Sequence, residues 1–252
     1  MLPSDKAKNR YKIIIEYLGT GLCGWQRQDH ALSVQQIIEE AIFSFTGEKV
    51  EVTAAGRTDA GVHALAQAAH FNIVAYKKPE TIPVSINHFT RPHKVVITHC
   101  EQVANDFHAR FSASARHYLY RIINRKAKTV MEEERAWWIR KELDIKAMRE
   151  GASYLVGHHD FSSFRASYCQ AKSPVKTLSL VEIKQEGEII NFYLSAPSFL
   201  HHMVRNIVGS LAQVGIGKWQ PKDIKIALEA KKRHAGGVTA PAHGLYFLKV
   251  DY

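Results

Sequence analysis

Cysteine is scarce in this chain: Cys23, Cys100 and Cys169 are the only three. They are odd in number, far apart and form no CxxC pair, so neither a disulfide framework nor a thiolate zinc site is expected. Long apolar runs are missing as well. No stretch approaches the ~20 residues needed to span a bilayer, and the polar start of the chain has no signal-peptide apolar segment. The expectation is a soluble cytoplasmic protein without a membrane partner. Also absent are a GxGxxG fingerprint, a Walker phosphate loop, a GxSxG elbow and an HExxH pair. Nucleotide-cofactor and serine-hydrolase chemistry therefore have no motif to stand on.

Carboxylates are the scarcer charge. Twenty-four Asp and Glu stand against 34 Lys and Arg, a formal net charge of +10 over 252 residues. Such an excess attracts polyanions, because bound cations release the counterions condensed on a phosphate backbone. The plainer reading of the same excess is solubility. With 46% hydrophobic and 23% charged residues, the composition suits one large globular domain or two small ones.

Fourteen histidines raise the question of a metal. His158-His159-Asp160 and His201-His202 are the candidates. Adjacent histidines diverge by about 100° on a helix and point to opposite faces of a strand, so neither pair has a chelating i, i+4 spacing. No metal site is expected.

Apolar periodicity orders the first half. Residues 11–18 read as a strand, rich in β-branched and aromatic residues. A helix follows a glycine-rich connection: Ser33 and Gln36 form a capping-box pattern, and Val34, Ile37, Ile38, Ala41, Ile42 and Phe45 share one face. Gly47 ends it. Strands at 50–55 and 66–74 flank a loop at 56–63, and a short helix near 82–89 and a strand at 94–103 complete the half. The order β-α-β-β-α-β is the ferredoxin-like arrangement, whose sheet offers a face for RNA.

The second half repeats the theme loosely. Strands are expected at 114–124, 176–185, 189–195 and 245–250, with helices over 144–155, 202–214 and 221–230. Glu186-Gly187-Glu188 reads as a hairpin turn. The expected fold class is α+β: two ferredoxin-like halves with mixed, mostly antiparallel sheets, packed into one pseudo-symmetric subunit. A boundary near residue 106 gives domains 1–105 and 106–252.

Three segments concentrate chemistry. In the loop 56–63, Gly56 and Gly61 bracket Arg57, Thr58 and Asp59 and permit positive φ. Arg57 and Asp59 are two apart, so on extended chain they point the same way. The loop reads either as a reactive carboxylate presented by glycines or as a tight surface turn with Asp59 capping its own backbone. Arg205 lies among apolar residues of the 199–214 segment. A buried guanidinium needs a partner, so an anion, a ligand phosphate or a carboxylate such as Glu229, has to meet it unless it snorkels to solvent. The segment 107–122 interleaves Arg110, Arg116 and Arg121 with Tyr118 and Tyr120, pairing charge for a backbone with flat faces for bases. Alternation puts both tyrosines on one face, so a strand with one of them in the core and one in a cleft satisfies both readings.

Seven segments in order resemble the tRNA pseudouridine synthase A family: GTGLCGWQRQ (19–28), SVQ (33–35), AGRTDAGVHA (55–64), FHARFSASARHYLYRI (107–122), HDFSSFR (159–165), FLHHMVRNIVG (199–209) and TAPAHGLYF (239–247). Leu18, Leu22 and the stretch 91–94 depart from the family pattern without removing a catalytic group. The resemblance implies that Asp59 is the catalytic aspartate, that Tyr118 stacks on the target uracil, and that Arg205 pairs with the aspartate. It implies that Arg57 helps to hold the flipped-out nucleotide; Arg110, Arg116 and His202 are further expected RNA contacts. It further implies a homodimer that uses no metal and no organic cofactor and acts on uridines 38, 39 and 40 of the tRNA anticodon stem-loop. The contrasting reading from charge and topology alone is a basic RNA-binding module without catalysis.

Overall fold

In a computed structural model, which describes residues 8–252, alternation in the first apolar run builds β1 (Asn9–Tyr17). The polar start of the chain, residues 1–7, lies outside the described residues. Tyr11, Ile13, Ile15 and Tyr17 are buried, while Glu16 faces out. Helix α1 (Val34–Thr46) follows the glycine-rich connection. Ser33 Oγ accepts from Gln36 N at 3.1 Å and opens the helix, and Gly47, at φ 75°, closes it. Only half of the expected capping box forms, because the Gln36 side chain bonds Glu40 instead. Val34, Ile37, Ile38, Ala41 and Ile42 are buried on the core stripe. Each buried valine or isoleucine among them stabilises the fold by ~1.5–3 kcal/mol.

The chain divides into two compact units, one holding residues up to Ser114 together with Phe247–Tyr252, the other Ala115–Tyr246. In the first unit, β2 (Thr53–Ala54), β3 (His63–Ile73), α2 (Thr81–Phe89) and β4 (Val95–Val103) follow α1. β1 lies between β3 and β4, and β2 pairs β3, all antiparallel. This is the ferredoxin-like strand order. The second strand is far shorter than the 50–55 expected, with only Thr53 and Ala54 in the ladder.

In the second unit, β5 (Ala115–Asn124) and β9 (Leu180–Glu186) flank β10 (Ile189–Ala196), which is antiparallel to both. A short β6 (Trp137–Ile139) runs parallel to β5, and β7 (Gly157–Asp160) pairs with β8 (Val175–Leu178). The single strand expected over 176–185 is therefore two, broken at Ser179, whose N–H goes to Ser195 O at 2.8 Å. Helices α3 (Ile145–Ser153), α4 (Met203–Gly215) and α5 (Pro221–Ala230) complete the unit. α4 is buried on nearly every side, as its mostly apolar and small residues allow. A Cβ at Gly209 would stand 1.8 Å from Val238 O, so the chain after α5 lies directly on this helix.

The last strand, β11 (Leu245–Asp251), belongs from Phe247 onward to the first unit, where it lies beside β3. Ser114 N donates to Asp251 O at 2.9 Å, and Tyr252 Oη donates to Ala109 O at 3.0 Å. The fold is thus mixed α/β with mostly antiparallel strands and five α-helices among the described residues. No helix among them is long and apolar enough to cross a membrane.

Candidate active site

The loop between β2 and β3 is seated from beneath. Thr58 is buried, and its hydroxyl shares a 2.7 Å hydrogen bond with the phenol of Tyr17. Burial pushes that phenol up to about 12, so it keeps its proton at any ordinary pH. Thr58 O accepts from Trp25 N at 3.0 Å, and Gly56 O accepts from the Gln67 side chain at 2.7 Å. With Thr58 turned inward, its neighbours are left outward: Arg57 is exposed and Asp59 half-buried. Asp59 O then accepts from Val62 N at 3.1 Å, closing a turn in which Gly61 takes φ 77°. Of the two glycines expected to use the left-handed region, Gly61 does and Gly56 does not, because the turn falls after the aspartate.

The GTGLCGW segment is the back of this seat. Gly24, at φ 99°, lets its backbone approach so closely that a Cβ there would stand 2.5 Å from Thr58 O and 2.9 Å from Asp59 C. A Cβ at Gly19 would stand 2.0 Å from Val62 O. Gly19 N donates to Nδ1 of the fully buried His63 at 2.9 Å. Composition marked the loop alone; the spacing of Gly19 and Gly24 is the signal that locates its support.

In the second unit, the register of β5 on β10 sets Tyr118 opposite Leu194 and Tyr120 opposite Phe192. Tyr120 is fully buried and donates to Pro241 O at 2.8 Å. Burial holds its phenol well above 10, against the lowering effect of the Arg205 charge. Tyr118 is only half-buried, with its ring edge-on to Phe199 at 4.9 Å. One tyrosine serves the core, then, and the other is partly accessible.

Arg205 is half-buried, and its Nε donates to Ala240 O at 2.8 Å while Ala240 N returns a bond to Arg205 O at 3.1 Å. Glu229, considered above as a partner, is exposed and lies 3.9 Å from Lys225. The position of Ala240 depends on Asn206, a residue that composition did not single out. Asn206 is fully buried; its Nδ2 donates to Phe164 O at 2.9 Å, and its Oδ1 accepts from Thr239 at 2.7 Å and from Arg233 at 3.1 Å. A fully satisfied buried network of this kind fixes the 233–240 segment against α4. Nearby, His243 is lowered below its usual value, first by burial, with Glu134 raising it and the Arg205 charge lowering it further.

The remaining RNA-contact candidates are spread out. Arg110 is exposed, with its guanidinium 5.5 Å from the Phe111 ring. Arg116 donates to Pro197 O at 2.6 Å and so ties β5 to the segment that leads into α4. His202 precedes α4 in a left-handed conformation, φ 61°. That conformation overturns the expected divergence of the histidine pair: the His201 and His202 rings are 4.2 Å apart.

Comparison with known proteins agrees with these motifs. The family described as tRNA pseudouridine synthase matches residues 13–112 and 152–252, which include Asp59 and Arg205, while Tyr118 falls between the two stretches. The tRNA pseudouridine synthase A of Paramagnetospirillum magneticum (strain ATCC 700264 / AMB-1) is 51% identical over 243 residues, covering 96% of this chain and 95% of the relative. That of Orientia tsutsugamushi (strain Boryong) is 46% identical over 282 residues, covering 96% and 99%.

Proposed function

The chain belongs to the tRNA pseudouridine synthase family, and on that footing we propose that it isomerises uridine to pseudouridine at positions 38, 39 and 40 of the tRNA anticodon arm. The reaction breaks the N1–C1′ bond, turns the uracil and joins C5 to C1′. C5 gives up a proton and N1 gains one, so atoms and electrons balance without a co-reactant. A carboxylate that acts on the nucleotide and a surface that keeps the detached base are the two requirements.

Asp59 is the carboxylate on this reading. The observation that carries it is the rigid seat of its loop, with Thr58 bonded to Tyr17 beneath and the Gly24 backbone behind. Such pre-positioning is what an attacking or proton-abstracting group needs. Attack at C1′, attack at C6 and removal of the C2′ proton all require the ionised form, which a nearby guanidinium favours and burial opposes. Arg205, oriented by Ala240, supplies that positive charge. Tyr118 offers a ring face to uracil, an interaction worth ~1–3 kcal/mol per base.

The target has to leave its stack, at a cost of a few kcal/mol that is least near a loop or stem end. Arg57 helps hold the extruded nucleotide, and Arg110, Arg116 and His202 meet the RNA. Reading RNA by shape and phosphate suits a chain of formal charge +10. The domains expected over 1–105 and 106–252 match the two units except for residues 106–114 and 247–252, which pack with the first; the enzyme works as a homodimer in the cytoplasm with neither metal nor organic cofactor.

Asp59→Asn is expected to bind tRNA as the wild type does and to form no pseudouridine when the RNA is mapped by carbodiimide primer extension. Turnover by that variant at the wild-type rate would remove Asp59 from the chemistry. Binding of tRNA by a wild-type protein that leaves every uridine unchanged would leave a non-catalytic RNA binder.

A further inference from the structure

Tyr168 has no part in the reading above. It stands in the connection between β7 and β8, and 66% of its surface is exposed. The root of that connection is fixed. Phe161 N donates to Pro174 O at 3.1 Å, Ala166 N to His201 O at 2.9 Å and Cys169 N to Ala166 O at 3.1 Å. Ala166 is buried, while Ser167, Tyr168 and Gln170 are exposed.

The ring is braced. It meets the His201 ring edge-on at 5.0 Å and the His202 ring at 5.9 Å. The left-handed backbone at His202 is what brings those two imidazoles together at 4.2 Å. Two residues before His201, Phe199 supports Tyr118, so one short segment carries the brace of both tyrosines.

The sequence around the ring is basic. Between Asp160 and Glu182 there is no acidic residue, and Arg165, Lys172 and Lys176 lie in that interval. A protein-docking or membrane-binding patch would be a broad apolar surface. Tyr168 is instead one exposed ring flanked by the exposed polar Ser167 and Gln170, with Arg165, Lys172 and Lys176 close in sequence; rings and cations together are what hold single-stranded nucleic acid by stacking and phosphate contact.

We infer that Tyr168, braced by His201 and His202, is a stacking platform for a nucleotide adjoining the uridine that is isomerised. The inference rests on the tRNA reading above. A flipped uridine leaves its neighbours without a stacking partner, and the Tyr168 ring takes that place. The stack needs the ring and not the hydroxyl.

The test uses the full-length protein and anticodon stem-loops carrying 2-aminopurine on either side of a target uridine. Wild type and Tyr168→Phe are expected to quench one of the two probes on binding and to form pseudouridine at equal rates. Tyr168→Ala, with an unchanged melting temperature, is expected to bind about tenfold more weakly and to lose the quench. An alanine variant with wild-type affinity and quench overturns the platform, as does a phenylalanine variant as impaired as the alanine one. The two readings fail separately: wild-type protein that quenches the probe without making pseudouridine sinks the synthase and keeps the platform.

Discussion

Tyr17 and Thr58, both buried, share a 2.7 Å hydrogen bond that ties β1 to the loop carrying Asp59. Tyr17→Phe leaves the Thr58 hydroxyl buried without that partner, a loss of ~1–3 kcal/mol. The expected result is a lower urea midpoint and a fall in kcat with little change in tRNA affinity. Since the phenol titrates only at about 12, the wild-type bond should contribute equally at pH 6 and pH 9. An unchanged kcat would show that the loop does not need this tie.

Gly24 and Gly21 allow a controlled comparison. Both take positive φ, 99° and 77°, but a Cβ at Gly21 meets nothing within 4 Å while one at Gly24 meets Thr58 O at 2.5 Å. Each alanine substitution carries a backbone penalty of ~1–2 kcal/mol. Gly24→Ala is expected to lose more stability than Gly21→Ala, and to lose turnover as well, because the chain that must give way carries Asp59. Thermal melts and single-turnover rates of the two variants check this.

His70 makes stability depend on pH. It is 6% exposed, and its pKa is lowered to about 4, first by burial and then by the Arg10 and His108 charges. In the unfolded chain the ring takes its proton near 6.5. As pH falls from 6.5 to 4 the unfolded state therefore binds a proton that the native state refuses, and stability drops by up to about 3 kcal/mol. Above pH 6.5 and below pH 4 this residue adds no slope. His70→Asn keeps an acceptor for Ala109 N, which bonds His70 Nδ1 at 3.2 Å. Urea unfolding across that window should show a flatter profile for the variant than for wild type.

Arg205 has a readout independent of activity. Its charge helps lower His243, after burial. Arg205→Met is expected to raise the His243 pKa, because one unfavourable neighbour of the imidazolium is gone while Glu134 remains. Proton NMR titration of the His243 ring measures it, and an unmoved midpoint would mean that the two side chains do not sense each other.

Local pattern sufficed where local physics decides. α1 shows both its caps and its stripe in sequence, and β1 shows its alternation, because each is fixed by residues a few positions apart. β2 and the β8–β9 break were not legible, since the ladder partners that limit them, His70 and Ala69 for β2 and Ser195 for Ser179, are distant in sequence. The histidine pair misled for a related reason: no glycine announces the left-handed His202. For the candidate site, Asp59, Tyr118 and Arg205 stand out by motif. The seat of the loop does not, because Tyr17, Gly24 and Gln67 act through backbone approach and buried bonds that composition cannot reveal.

The chain leaves its first unit at Ser114 and returns to it at Phe247, so most of β11 completes a sheet begun far earlier in the sequence. During synthesis the N-terminal sheet waits with the flank of β3 uncovered until the whole second unit, Ala115–Tyr246, has been made. An emerging chain exposes that edge to whatever else can pair with it, which is the time when a chaperone is most useful.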